Sequence, residues 1–234
     1  MITLRDENPT TLTPVVTVAL IVLNGLVYLY QLSLGQAEES FILSYAAVPA
    51  ELFHRGSGGV ENIVVGDPRV PAGITVLTSM FLHGGFLHLG GNMLYLWIFG
   101  NNIEDIMGHG RFIVFYLLAG LAAVFAHAVT APESTVPMIG ASGAISGVLG
   151  AYLLLFPKAR VQVLLLLGVF TRIVPVPAVV VLGFWFVVQI LNGVFSLGGP
   201  GGGVAWFAHI GGFVTGLALI KIFQRRSIGS TLPW

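Results

Sequence analysis

The chain has 234 residues, 56% hydrophobic and 9% charged, with ten basic and ten acidic side chains and a mean hydropathy of +0.91. Soluble domains carry roughly 25% charged residues, so this composition excludes a water-soluble globule and leaves a polytopic membrane protein. A net charge of zero makes no case for a nucleic-acid partner, and the absence of cysteine excludes disulfides, a thiol nucleophile and thiolate metal sites.

The N-terminal stretch MITLRDENPTTLTP has acids where a cleavable leader needs cations. The apolar run from Val15 to Leu34 therefore reads as a first membrane span. Six spans are predicted, at about 14–35, 85–106, 111–131, 140–156, 173–195 and 204–223. They describe an all-α, six-helix bundle in one membrane-embedded domain over 1–234, with the lipid bilayer as its solvent. The connection 36–84 is too long for a turn. It is polar and glycine-rich at Phe53–Gly73, then apolar at Ile74–His83, where a short interfacial helix is expected.

With six spans both ends share a side. That side collects Arg5, Arg111, Lys158, Arg160, Arg172, Lys221, Arg225 and Arg226, whereas the other receives only Arg55 and Arg69. By the positive-inside rule both termini are cytoplasmic and the long loop is outside, an arrangement that suits a prokaryotic plasma membrane. The second, fourth and sixth spans then run inward from the outer face.

Polar groups inside a bilayer are functional candidates. Only Glu104 and Asp105 are acids within a span, near its cytoplasmic end, which argues against carboxylate-coupled transport and against an aspartyl protease. There is no His-Glu-x-x-His motif, and His83 and His88, five apart, do not share a helix face, so no metal site or cofactor is expected. His88 and Asn92 in the second span, Ser142 heading the fourth and His209 in the sixth all lie near the outer ends of inward-running helices. Ser142 to Phe156 makes roughly 22 Å of helix, and His209 stands about 18 Å above Lys221, so the two side chains lie at similar depth. Gly143, Gly147 and Ala151, and Ala208, Gly212 and Gly216, recur at spacing four, which lets two helices approach closely.

This set suits acyl transfer. A serine hydroxyl needs a base, commonly imidazole, and the developing oxyanion needs donors. Ser142 is the candidate nucleophile and His209 the candidate base. The Ser142 N–H, at a helix N-terminus, and His88 with Asn92, at i and i+4, are the candidate oxyanion donors. Taken singly, Ser142 also reads as helix-packing and His209 as an interhelical polar contact. His83, His127, Gln189 and Asn192 read as structural, and His54 and His109 as loop residues. The soluble-hydrolase elbow Gly-x-Ser-x-Gly is absent, because position 144 is Ala.

Gly140-Ala141-Ser142-Gly143, Ala208-His209-Ile210-Gly211-Gly212-Phe213-Val214-Thr215-Gly216 and His88-Leu89-Gly90-Gly91-Asn92 resemble, in order, the GxSG, AHxxGxxxG and HxxxN motifs of the rhomboid intramembrane serine proteases. The resemblance implies a Ser142–His209 dyad without a carboxylate, an acyl-enzyme, and oxyanion binding by His88 and Asn92. It implies substrates that are single-pass membrane proteins cut within or beside their spans. It makes His83 a second family histidine that positions loop structure, Gly198–Gly203 a mobile cap, and Phe184-Trp185-Phe186 part of a gate. Ser146 departs from the family, standing where many members stack an aromatic ring on the imidazole; the loop Trp-Arg pair is also absent, with Ile74-Thr75 in its place. The rival reading is a non-catalytic relative that binds transmembrane clients for quality control. A solute transporter lacks the expected internal repeats and buried charges.

Overall fold

The computed structural model describes residues 2–54, 65–167, 170–197 and 204–225. In chain order these form strand β1 (Ile2–Asp6), helix α1 (Val15–Ser33), the short helices α2 (Glu38–Tyr45), α3 (Pro49–His54) and α4 (Ala72–Thr78), then α5 (Phe86–Met107), α6 (His109–Ala128) and α7 (Ser142–Leu155). Strands β2 (Arg160–Leu167) and β3 (Phe170–Pro177) follow, then α8 (Ala178–Ser196) and α9 (Trp206–Phe223). The six predicted spans correspond to α1, α5, α6, α7, α8 and α9. The short helix expected over Ile74–His83 is α4 with a 3₁₀ turn at Ser79–Phe81. The Gly198–Gly203 loop, and residues 55–64 of the glycine-rich stretch, lie outside the described residues.

Helices α1, α6, α8 and α9 are each long and apolar enough to cross a membrane, and α4 with its 3₁₀ turn forms with α5 a pair bent by 82° that also qualifies. Helix α7 has only 14 residues, about 21 Å of helix against a hydrocarbon core of about 30 Å. Every residue from Gly143 to Tyr152 is buried, so α7 is the central post of the bundle and its apolar surface serves protein contacts on all sides. Helix α9 lies directly against it. A Cβ on Gly212 would overlap the Gly143 carbonyl oxygen, and one on Gly216 the Gly147 carbonyl, so backbones meet where side chains usually stand. Phe99, Phe112, Phe115, Tyr116, Tyr152 and Phe213 fill the core around this contact.

The bundle ends in a sheet that helical periodicity did not anticipate. Strands β1, β2 and β3 pair antiparallel in that order, with Asp6 opposite Val161 and Val163 opposite Val174. Alternation explains β2: Val161 and Val163 are buried, while Arg160 is exposed. The predicted fifth span begins too early, because 173–177 belong to β3. Pro175 and Pro177 cannot sit in a helix interior, but an edge strand tolerates them. Helix α8 starts only at Ala178, whose N–H donates to Ala159 O at 2.8 Å.

Two carboxylates on α5 tie the N-terminal segment to this end. Buried Glu104 accepts from Val16 N, Thr17 N and Thr17 Oγ1 at 2.9, 2.8 and 2.7 Å, capping the first turn of α1 from a neighbouring helix. His109, which opens α6 rather than lying in a loop, donates from Nδ1 to the same carboxylate at 2.6 Å. Asp105 accepts from Thr11 Oγ1 and Leu12 N at 3.0 and 2.9 Å. Asp6 takes hydrogen bonds of 2.8 Å from both Asn102 Nδ2 and Tyr152 OH. The first residues of α5, α7 and α9 lie at the opposite end of the bundle.

Candidate active site

Three helix starts build the site. Ser142 is the first residue of α7, so its N–H has no carbonyl one turn back within the helix and points out of the helix end. Gly140, just before it, has φ +119°, and its N–H donates to Ser79 O at 2.8 Å. That left-handed backbone, with no Cβ, leaves room for the His88 ring: a Cβ there would lie 2.7 Å from His88 Nε2. His209 sits in the first turn of α9, and the close α7–α9 approach brings its Nε2 to 2.9 Å from Ser142 Oγ.

The other ring nitrogen of His209 is also engaged. Nδ1 lies 2.9 Å from Oε1 of Gln189 on α8, and Gln189 Nε2 donates to Trp185 O at 3.0 Å. The Trp185 indole packs beside the imidazole, with ring centroids 5.9 Å apart, and Trp206 meets it edge-on at 6.2 Å. Ser146 brings no ring; its Oγ donates to Ser142 O at 2.6 Å. The aromatic neighbours of His209 thus come from α8 and from its own helix. Sequence reasoning left Gln189 as structural. The available signal was an amide one turn after Trp185, one of two amides, with Asn192, in an otherwise apolar stretch.

On α5, His88 and Asn92 face the same space. Asn92 is buried and its Nδ2 donates to His83 Nε2 at 2.9 Å. His83 Nδ1 contacts Phe81 O at 3.3 Å, so the proton sits there and Nε2 is free to accept. Gln31 of α1 clasps the His83 backbone, receiving its N–H and donating to its carbonyl, both at 3.0 Å. His88 Nδ1 accepts from Gly84 N at 3.4 Å. His88, Asn92, Ser142 and His209 line one cavity of about 380 Å³, closed on other sides by Tyr95, Ile145 and Trp185. A neighbouring cavity of about 520 Å³ shares His88 and is bordered by His127, Thr130 and Ser134. Among the described residues no cluster of three or more histidines and acids is arranged to hold a metal ion.

The Rhomboid domain family model matches residues 72–226 of the chain. Over 136 residues the chain is 38% identical to Rhomboid protease GluP of Bacillus subtilis (strain 168), a match covering 58% of this chain and 26% of that protein. It is 32% identical over 154 residues to Rhomboid protein 1, mitochondrial, of Saccharomyces cerevisiae, covering 63% and 41%. With the human Presenilin-associated rhomboid-like protein, mitochondrial, it shares 37% over 93 residues, covering 39% and 24%. These matches span well under two thirds of each relative's own length. Bacterial and mitochondrial proteins stand together among them, so they carry no preference for a plasma membrane.

Proposed function

Because the chain belongs to the rhomboid family, we propose that it is an intramembrane serine endopeptidase in which Ser142 and His209 form the catalytic pair. The single observation that carries this reading is the 2.9 Å hydrogen bond between Ser142 Oγ and His209 Nε2 inside a cavity. Ser142 Oγ attacks the scissile carbonyl carbon as its proton passes to His209 Nε2. The oxyanion takes hydrogen bonds from the Ser142 N–H, Asn92 Nδ2 and His88. His209 then gives its proton to the leaving amine as the C–N bond breaks, which leaves an ester on Ser142. Water entering from the neighbouring cavity beside His88 attacks that ester as His209 takes its proton; the bond from Ser142 Oγ to the acyl carbon then breaks, His209 returns the proton to Oγ, and the carboxylic acid product leaves.

The substrates we assign are single-pass membrane proteins cut within or beside their spans. The cavity supports this, since its walls include α5 on one side and α8 on the other, so an apolar segment enters between those helices. The basic residues Arg5, Arg111, Lys158, Arg160, Arg172 and Arg225 gather at the sheet end of the molecule, which supports the reading that this end faces the cytoplasm and the site the opposite face.

The test needs no known substrate. Purified protein in detergent is treated with a fluorescent fluorophosphonate, which labels activated serines, alongside Ser142→Ala and His209→Ala. Labelling of the wild type that both substitutions abolish is the expected result. Labelling that survives Ser142→Ala overturns the assignment, and a folded wild type that never labels favours a protein that binds transmembrane clients without cutting them.

A further inference from the structure

We infer that Gln189 is the positioning residue of His209, holding the imidazole in the one tautomer and orientation that can accept the Ser142 proton. Gln189 is 4% exposed, in the middle of an apolar helix. A buried amide is retained only if its polar atoms are matched. Both are: Nε2 donates to Trp185 O at 3.0 Å, which turns Oε1 toward α9, and Oε1 lies 2.9 Å from His209 Nδ1. An amide oxygen only accepts, so the proton of the neutral imidazole sits on Nδ1. Nε2 then presents its lone pair, and that nitrogen is the one 2.9 Å from Ser142 Oγ. Donation thus runs in one sense, from Ser142 on α7 through His209 on α9 to Gln189 and Trp185 O on α8. Helix α7 offers no ring from Ser146, and among the described residues no carboxylate lines the cavity. A neutral amide orients the base without becoming a proton acceptor itself.

The catalytic part of this inference rests on the proposed Ser142–His209 chemistry; the tautomer does not. Protein carrying ¹⁵N-labelled histidine is examined in detergent by NMR, with His209→Ala identifying the signal among the six histidines. The wild type is expected to carry its His209 proton on Nδ1, and Gln189→Leu to show a mixture of tautomers. A wild-type proton on Nε2, or a tautomer that Gln189→Leu leaves unchanged, overturns the inference whether or not the protein is a protease. In the fluorophosphonate reaction, Gln189→Leu is expected to lower the maximal labelling rate on the order of tenfold or more, with the half-saturating probe concentration unchanged. Gln189→Glu, which keeps an acceptor at the same place, is expected to restore most of that rate. Wild-type labelling in Gln189→Leu, or a Gln189→Glu protein as slow as Gln189→Leu, refutes the positioning role while leaving the Ser142–His209 assignment intact. A wild type inert to the probe refutes that assignment instead, and the NMR result still decides what Gln189 does.

Discussion

Asn92 has two amide hydrogens. One is spent on His83 Nε2, which leaves the other for the proposed oxyanion. Asn92→Ala is therefore expected to lower the labelling or cleavage rate by about 10²–10³-fold, the usual effect of losing one such donor, while the melting temperature changes little. His83→Ala removes the ring that aims Asn92 and packs edge-on against His88 at 5.1 Å but leaves both donors in place, so it is expected to slow the reaction by less. Rates of the two variants measured together check this; an Asn92→Ala protein as fast as wild type removes Asn92 from the oxyanion site. The i, i+4 relation of His88 and Asn92 was legible in the sequence, because helix geometry alone puts them on one face. The aiming of Asn92 was not. It depends on His83 being held by Gln31, 52 residues earlier, a contact that only the packing of α1 against the head of α5 creates.

At the level of helices, the reacting geometry depends on how closely α9 approaches α7. Gly212 faces the Gly143 carbonyl oxygen, next to Ser142 in the chain and one turn on from His209. Gly212→Ala must push the two backbones apart, since backbone has no rotamer through which to yield. The expected destabilisation is about 1–3 kcal/mol, with a loss of fluorophosphonate labelling larger than the fall in folded protein accounts for. Thermal unfolding and labelling rate, measured on the same sample, separate the two effects. Unchanged labelling shows that the Ser142–His209 distance does not depend on this contact. The spacing-four pattern of small residues announced a close pair of helices, whereas Val161, Val163 and the two prolines of β3 did not announce a sheet. Short β segments flanking apolar helices carry too little periodicity to stand out, and β1 meets β2 across more than 150 residues of chain.

Over the whole molecule, the N-terminal strand is fastened at the end opposite the site, and that fastening is pH-sensitive. Burial raises the Asp6 carboxyl from 3.8 to about 6, against the lowering effect of hydrogen bonds from Tyr152 and Asn102. The docked strand therefore binds a proton more tightly than the released strand. Docking strengthens as pH falls through about 6, reaches its full strength near the ordinary carboxyl value of 3.8, and is weakest above 6. Asp6→Asn, neutral throughout, is expected to hold the strand at neutral pH as firmly as acid holds the wild type. Hydrogen exchange across residues 2–6, corrected for the intrinsic pH dependence of exchange, measures this. An Asp6→Asn protein that keeps the wild-type pH dependence shows that another group is responsible.

Membrane class, the long apolar helices, the clustering of the basic residues and the candidate pairing of a serine with a histidine at similar depth were legible in the sequence by itself. Composition, span length and rise per residue are local quantities, readable without knowing any neighbour. The three-stranded sheet, the capping of α1 by Glu104, the indole of Trp185 beside the imidazole and the amide of Gln189 on its far nitrogen were decided only by the tertiary structure. Each is a choice of partner between segments distant in sequence. A polar side chain in an apolar helix tells that it must find a partner, because leaving it unpaired costs several kcal/mol in hydrocarbon. Which partner it finds is settled by the packing that brings the two together.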